Sequence, residues 1–321
     1  MSPPGVAWLG DLHKMGRIQE SRQTVAALSI LVASLSPFAV LAQDEAAPAP
    51  EVAPPVPEVA PAAVPASGPS AAPAWAPMGY PDAYVLRPLT VPPGMFQGTL
   101  PVVFSLSENA VFKPVWIPLD MRFGMTDRLE FFVTHNALGA PLAAGSGGLC
   151  LGTKQYCPKT YNNLNVGGQF SFAKGKGLEL TGLLAAEFRE FSPHLLFVVD
   201  VGVGVKYVNA IFSAKATPRL GIGVNRRNGG NDQEAIGVPV QLALQAAPRI
   251  AAFVDMGLFG PTNQFGSRYT IPVGVGGDFL LMHGFDVGAE FMFPALGRGS
   301  AVTGKAIDSR TLMLYAVWRN P

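Results

Sequence analysis

From Gln97 to Trp318 the chain alternates apolar and polar residues at period two, again and again, and this repetition constrains its fold more than any other feature. Period two means extended strands whose successive side chains point to opposite faces. The clearest case is Phe285-Asp286-Val287-Gly288-Ala289-Glu290-Phe291-Met292-Phe293. Phe, Val, Ala, Phe and Phe share one face there; Asp, Gly, Glu and Met share the other. Similar segments run over Leu100–Leu106, Val115–Phe123, Leu129–Val133, Leu164–Phe172, Leu178–Phe188 and Phe197–Val205. They continue over 214–224, Val238–Leu244, Ile250–Leu258, Tyr269–Val275 and Leu312–Trp318. The pattern predicts an all-β chain of about 12 strands.

Alternation alone does not say which face is inside. A soluble sandwich buries the apolar face, whereas a membrane barrel turns it to lipid and keeps the polar face within. Composition bears on the choice. The chain is 49% hydrophobic and 14% charged, against about 25% charged residues in ordinary soluble domains. Beyond the leader no apolar run reaches the ~18 residues of a spanning helix. Connection lengths point the same way. Tight turns are expected at Gly124–Arg128, Lys174–Gly177, Ala247-Pro248 and Met282–Gly284. Longer loops occupy Asn136–Thr160, Asn225–Ala235, Gly260–Arg268 and Pro294–Ser309. Short turns alternating with longer loops characterise antiparallel transmembrane barrels. The brief connections at Glu108–Phe112 and Glu190–Pro193 depart from the pattern.

Upstream, the apolar run Thr24–Ala42 follows Arg17 and Arg22 and ends in Val40-Leu41-Ala42. That is the charged, apolar and small-residue order of an export signal, so residues 1–42 are expected to be a signal peptide. A single membrane anchor is the alternative, and Pro37 interrupts it. Residues 43–77 are nearly all Ala, Pro, Val and Glu, and they open the segment 43–96 that precedes the first strand. Such a segment is expected to be a disordered periplasmic linker with polyproline II character, because it lacks side chains to offset its ordering entropy. It is either a passive spacer or a contact to the cell wall or a periplasmic partner. The barrel is expected over 97–321.

The leader, the amphipathic segments and the hairpin Ile117–Glu130 resemble bacterial outer-membrane β-barrel proteins of the transporter and porin-like kind. Gly124-Met125-Thr126-Asp127-Arg128-Leu129-Glu130 is similar to the G-x-T-D-R-L-E turn of the phenol-degradation outer-membrane barrel group. The resemblance implies a Gram-negative-type outer membrane, with its lipid and its barrel-insertion machinery as partners.

Little points to covalent chemistry. No G-x-S-x-G elbow, H-E-x-x-H pair or phosphate-binding glycine loop is present. No catalytic residue, metal site or cofactor is assigned, and a net charge of +1 gives no reason to expect nucleic acid. Cys150 and Cys157 are the only cysteines. In an exported chain a local disulfide is the expected state; a metal site or a reactive thiol are the alternatives.

If the apolar faces meet lipid, parity places Asp120, Glu130, Glu179, Glu187, Asp200, Asp255, Asp278, Asp286 and Glu290 in the lumen. Arg122, Arg189, Lys206, Lys215, Arg219 and Arg249 join them. Charges of both signs need water or one another, since an isolated charge in hydrocarbon is costly. Either they pair across the barrel and fill it, or they line an aqueous path. The expected function is a narrow pore for passive passage of a small solute. The alternatives are a structural or adhesion-type barrel with a closed lumen that binds partners through its outer loops, and a secreted soluble β-domain.

Overall fold

Every alternating segment is a strand, and the strands close on themselves. The computed structural model describes residues 80–107, 111–144, 147–157, 159–191, 195–225, 234–302 and 306–320. The expected signal peptide and the linker through residue 79 lie outside the described residues. The strands are β1 (Phe96–Ser105), β2 (Val115–Ile117), β3 (Asp120–Gly124), β4 (Leu129–Thr134), β5 (Gly148–Leu151), β6 (Tyr161–Asn162), β7 (Leu164–Gly175) and β8 (Leu178–Glu190). They continue as β9 (Leu196–Asn209), β10 (Phe212–Ala216), β11 (Arg219–Gly223), β12 (Ala235–Ala247), β13 (Ile250–Pro261), β14 (Thr270–Met282), β15 (Phe285–Arg298) and β16 (Thr311–Asn320).

Several of these share a stave. Pro118 divides β2 from β3 and Pro218 divides β10 from β11, because proline has no N–H to give to the ladder. β4 is followed by an inward excursion over 135–144 before β5 takes up the same stave, and β6 runs into β7 across Asn163. The result is 12 antiparallel staves. β1 pairs with β16 from Phe96↔Asn320 to Ser105↔Thr311, so no sheet edge is left there.

The turns explain the register. Lys176 (φ 48°) and Gly177 (φ 77°) both adopt positive φ between β7 and β8, the two-residue turn whose twist matches an antiparallel pair. Comparably short turns at 210–211, 248–249 and 283–284 lie at the end where β1 begins and β16 finishes. This is the periplasmic end in barrels of this kind.

The faces divide as lipid requires. Leu100, Phe131, Phe172, Leu184, Val203, Val275 and Leu314 are exposed on the outside, Leu184 at 60% of its surface. On the opposite parity Glu130, Glu187, Asp200, Asp286 and Glu290 are buried. A soluble fold would have the reverse. In β15, Asp286, Glu290 and Met292 point inward while Ala289 is exposed outward.

One expected boundary moves. The described end of the segment read as linker, residues 80–95, does not hang free below the barrel. It runs inside, with Val85, Thr90, Val91 and Met95 fully buried. Its backbone and its one arginine find partners among the inward acids, which proline-rich composition alone does not reveal.

Candidate functional site: the barrel lumen

Two insertions narrow the lumen. The lower one is the strap formed by residues 80–95, with a single 3-10 turn at Tyr84–Leu86. Strap carbonyls and N–H groups bond directly to wall side chains. Leu89 N donates to Glu179 Oε2 at 2.7 Å and Val91 N to Glu130 Oε2 at 2.8 Å. Lys206 Nζ donates to the Arg87 carbonyl, and Arg122 Nη2 to that of Leu89. Arg87 itself reaches across to Asp286, with Nη1 and Nη2 each at 2.9 Å, and lies 3.7 Å from Asp278. Tyr84 stacks on Phe253 with ring centroids 5.9 Å apart and donates its hydroxyl to Gln241 at 3.1 Å. At the periplasmic turn, His283 Nδ1 and Asp82 Oδ1 are 2.5 Å apart. The strap therefore crosses the lower lumen and is bonded at both sides.

The upper insertion is the excursion over 135–144. Two 3-10 turns, Ala137–Gly139 and Leu142–Ala144, carry it inward from the third stave. Leu138 packs toward Gly221 and Gly237 on β11 and β12, where any larger residue would collide with it. Ala143 is fully buried with Val103, Met292 and Met313, and its carbonyl accepts from Thr311 Oγ1 at 2.6 Å. At its root, His135 sits between Asp120 (3.2 Å) and the Tyr161 hydroxyl (2.6 Å).

Between strap and excursion lies a chamber of about 400 Å³ lined by residues of both insertions and of the wall. Nine residues expected in the lumen face it: Asp120, Arg122, Glu130, Lys206, Lys215, Arg219, Asp255, Asp278 and Glu290. Glu179, Glu187, Asp200 and Asp286 are buried in the interior as paired groups. Arg122–Glu130 closes at 2.5 Å, Arg189–Glu187 at 2.8 Å, and Arg219–Asp200 at 3.1 Å. Much of the interior charge is thus mutually compensated, as buried ions require.

Arg249 is the exception. It lies exposed in the turn between β12 and β13 and takes no place in the lumen. Arg249 shares the parity of inward Ala251 and Phe253, but β13 begins at Ile250 and the turn releases the arginine from that alternation. Conversely, Arg319 is interior: Nη1 lies 2.5 Å from Asp286 and Nε donates to Gln97 at 3.0 Å. Its signal in the sequence is its parity with inward Met313, Tyr315 and Val317, one residue past the alternation that ends at Trp318. Arg87, Tyr84, Leu138 and Ala143 had no periodic signal.

The loop expected over Asn136–Thr160 is accordingly two structures, the inward excursion and a short β5–β6 hairpin. Cys150 and Cys157 are joined by a disulfide across that hairpin, with Cα atoms 5.8 Å apart. Among the described residues no group of three or more His, Cys, Asp or Glu is gathered as a metal site.

A closed antiparallel barrel with an apolar outer belt and a charged, partly hollow interior defines the class: the chain folds as a transmembrane β-barrel. No family model matches its sequence, and no curated protein does. Solved structures similar to it include the NanC porin (7% identity, TM-score 0.49) and the KdgM porin (6%, 0.46), each matched over 69% of this chain and 98% of the other. An outer-membrane channel from Pseudomonas putida F1 is similar at 12% identity and TM-score 0.48, over 76% of this chain and 98% of that one. The narrower likeness to the phenol-degradation group rests on the Gly124–Glu130 hairpin alone.

Proposed function

We propose that this barrel is a narrow, gated pore through which a small solute passes passively across the outer membrane. The observation that carries the reading is the hollow left between strap and excursion: a chamber of about 400 Å³ with charged walls. A barrel whose interior served only stability gains nothing from such a space, because filling it with apolar side chains would add packing at no electrostatic cost. The mechanism involves no bond-making. Wall charges replace part of a solute's hydration, and the strap must leave its seat for the path to run through. Displacement is feasible since the strap adds no strand to the sheet: apart from two backbone bonds between Gly94-Met95 and Gly124 at its end, it is held by individual bonds to wall side chains.

Single-channel recording in planar bilayers tests this. The intact protein is expected to show rare, brief openings, and a form lacking residues 80–94 a steady conductance. Silence from both would refute the pore.

A second reading draws on the outer hairpin. The Cys150–Cys157 bond restricts the β5–β6 hairpin at the outer rim of the third and fourth staves, as a barrel presenting a rigid epitope to a partner would do. On that reading the strap and excursion are permanent fillers, and removal of the strap produces no conductance.

A further inference from the structure

The chamber holds one set of charges that the pairing described above does not satisfy, and it lies in a single cross-strand row. Lys215 on β10 is in register with Gln241 on β12, Gln241 with Asp255 on β13, Asp255 with Gly274 on β14, and Gly274 with Met292 on β15. Gly274 leaves its inward position open, and the carboxyl of Glu290 occupies that space: a side chain at 274 would run into Glu290 Oε1 and the Met292 methyl. Two carboxyl groups, Asp255 and Glu290, therefore meet around one glycine.

Their compensation is incomplete. Asp255 accepts from Gln241 Nε2 at 3.2 Å, but that amide's oxygen is already engaged by Tyr84. Glu290 is only 2% exposed, and its Oε1 is buried with no hydrogen-bond partner. Among the described residues no ion pair joins Lys215 to either acid, although all three line the chamber. With no ion pair between Lys215 and either acid, a cation entering the chamber finds an acceptor oxygen of Glu290 without a partner. Every other interior acid has an arginine, a lysine, a histidine or a strap N–H. Leaving a buried carboxylate unmatched is costly, so a site built this way favours a ligand that supplies the match. The rings of Tyr84 and Tyr315 line the same space, and a desolvated cation gains from an aromatic ring as well as from a carboxylate.

We infer that Asp255 and Glu290, over Gly274, form a binding site for the protonated amine of a small organic solute. This names the solute class of the pore proposed above and rests on that reading for its physiological meaning, though the binding site is testable without it.

The test is calorimetric titration of the detergent-solubilised full chain with n-butylammonium, with 1-butanol as the uncharged control of equal size. Saturable binding of the amine and none of the alcohol is expected. Glu290→Gln should weaken amine binding by about tenfold or more, the loss of one charge-assisted hydrogen bond. Lys215→Gln should strengthen it by removing the competing cation, and Arg249→Gln, at the exposed turn, should leave it unchanged. Equal binding of amine and alcohol, or an unaltered affinity in Glu290→Gln, overturns the inference. If Glu290→Gln fails to fold, Asp255→Asn and Lys215→Gln decide it, and no change in either is equally fatal. Bilayer recordings on the same samples separate the two proposals. Amine binding without conductance removes the pore and leaves the site; conductance without Glu290-dependent binding removes the site and leaves the pore.

Discussion

Replacing Arg87 by alanine should unseat the strap. The guanidinium donates twice to Asp286 at 2.9 Å, sits 3.7 Å from Asp278 and donates to the Asp82 carbonyl at 2.8 Å. Its loss is not uniform for the two acids. Asp286 keeps Arg319 at 2.5 Å, whereas Asp278 is left with the Tyr315 hydroxyl at 3.2 Å. Breaking a buried pair by removing one partner typically costs about 3–5 kcal/mol. Because Arg319 remains, the low end applies, and about 3 kcal/mol corresponds to roughly a hundredfold rise in the displaced fraction. Amide exchange reads this directly. The N–H groups of Leu89 and Val91 are held by Glu179 and Glu130, so their exchange should accelerate by about the same hundredfold. Strand amides in β8 and β14 should not change. Channel openings should become more frequent in parallel, and Arg87→Lys should fall between wild type and alanine because a point charge recovers one contact of the fork. Unchanged exchange at Leu89 and Val91 in a folded Arg87→Ala barrel would show that the clamp does not hold the strap, and the gating argument would fail with it.

Other consequences follow from the same contacts. Gly124→Val adds side chain where the strap backbone at Pro92 passes; it should speed exchange at Val91 without touching a charge, and normal protection there would contradict the described path of the strap. Leu184→Arg places a cation at the middle of β8, at a position 60% exposed to the outside. It should cost about 2–4 kcal/mol if that face meets lipid, measured by denaturant titration in liposomes, and a neutral effect would count against the membrane belt. Reducing the Cys150–Cys157 bond, which spans a separation of 7 residues, should destabilise the outer hairpin by about 2.5 kcal/mol in a loop-entropy treatment. Limited proteolysis of the hairpin should quicken while the strand amides stay protected.

What the sequence made legible, and what it did not, has one physical cause. Period-two alternation reports contacts that repeat along a strand, so the wall and the inward acids were readable from Asp120 to Glu290. The strap and the excursion make each contact once, and single contacts leave no period. Composition actively misled for residues 80–95, since Pro81, Pro88, Pro92 and Pro93 argue for a free chain. The excursion was concealed differently, inside a stretch that looked like one long outer loop. Yet the charges held a usable signal. Parity places nine acids in the lumen against six bases, and the structure removes Arg249 from the latter. A closed barrel with that excess must import positive charge or N–H donors. Arg319 and the strap, through Arg87 and the backbone of Leu89 and Val91, satisfy Asp286, Glu179 and Glu130. Asp255 and Glu290 remain outside that settlement. The same imbalance that accounts for the strap thus points to the place where a cationic solute would be held.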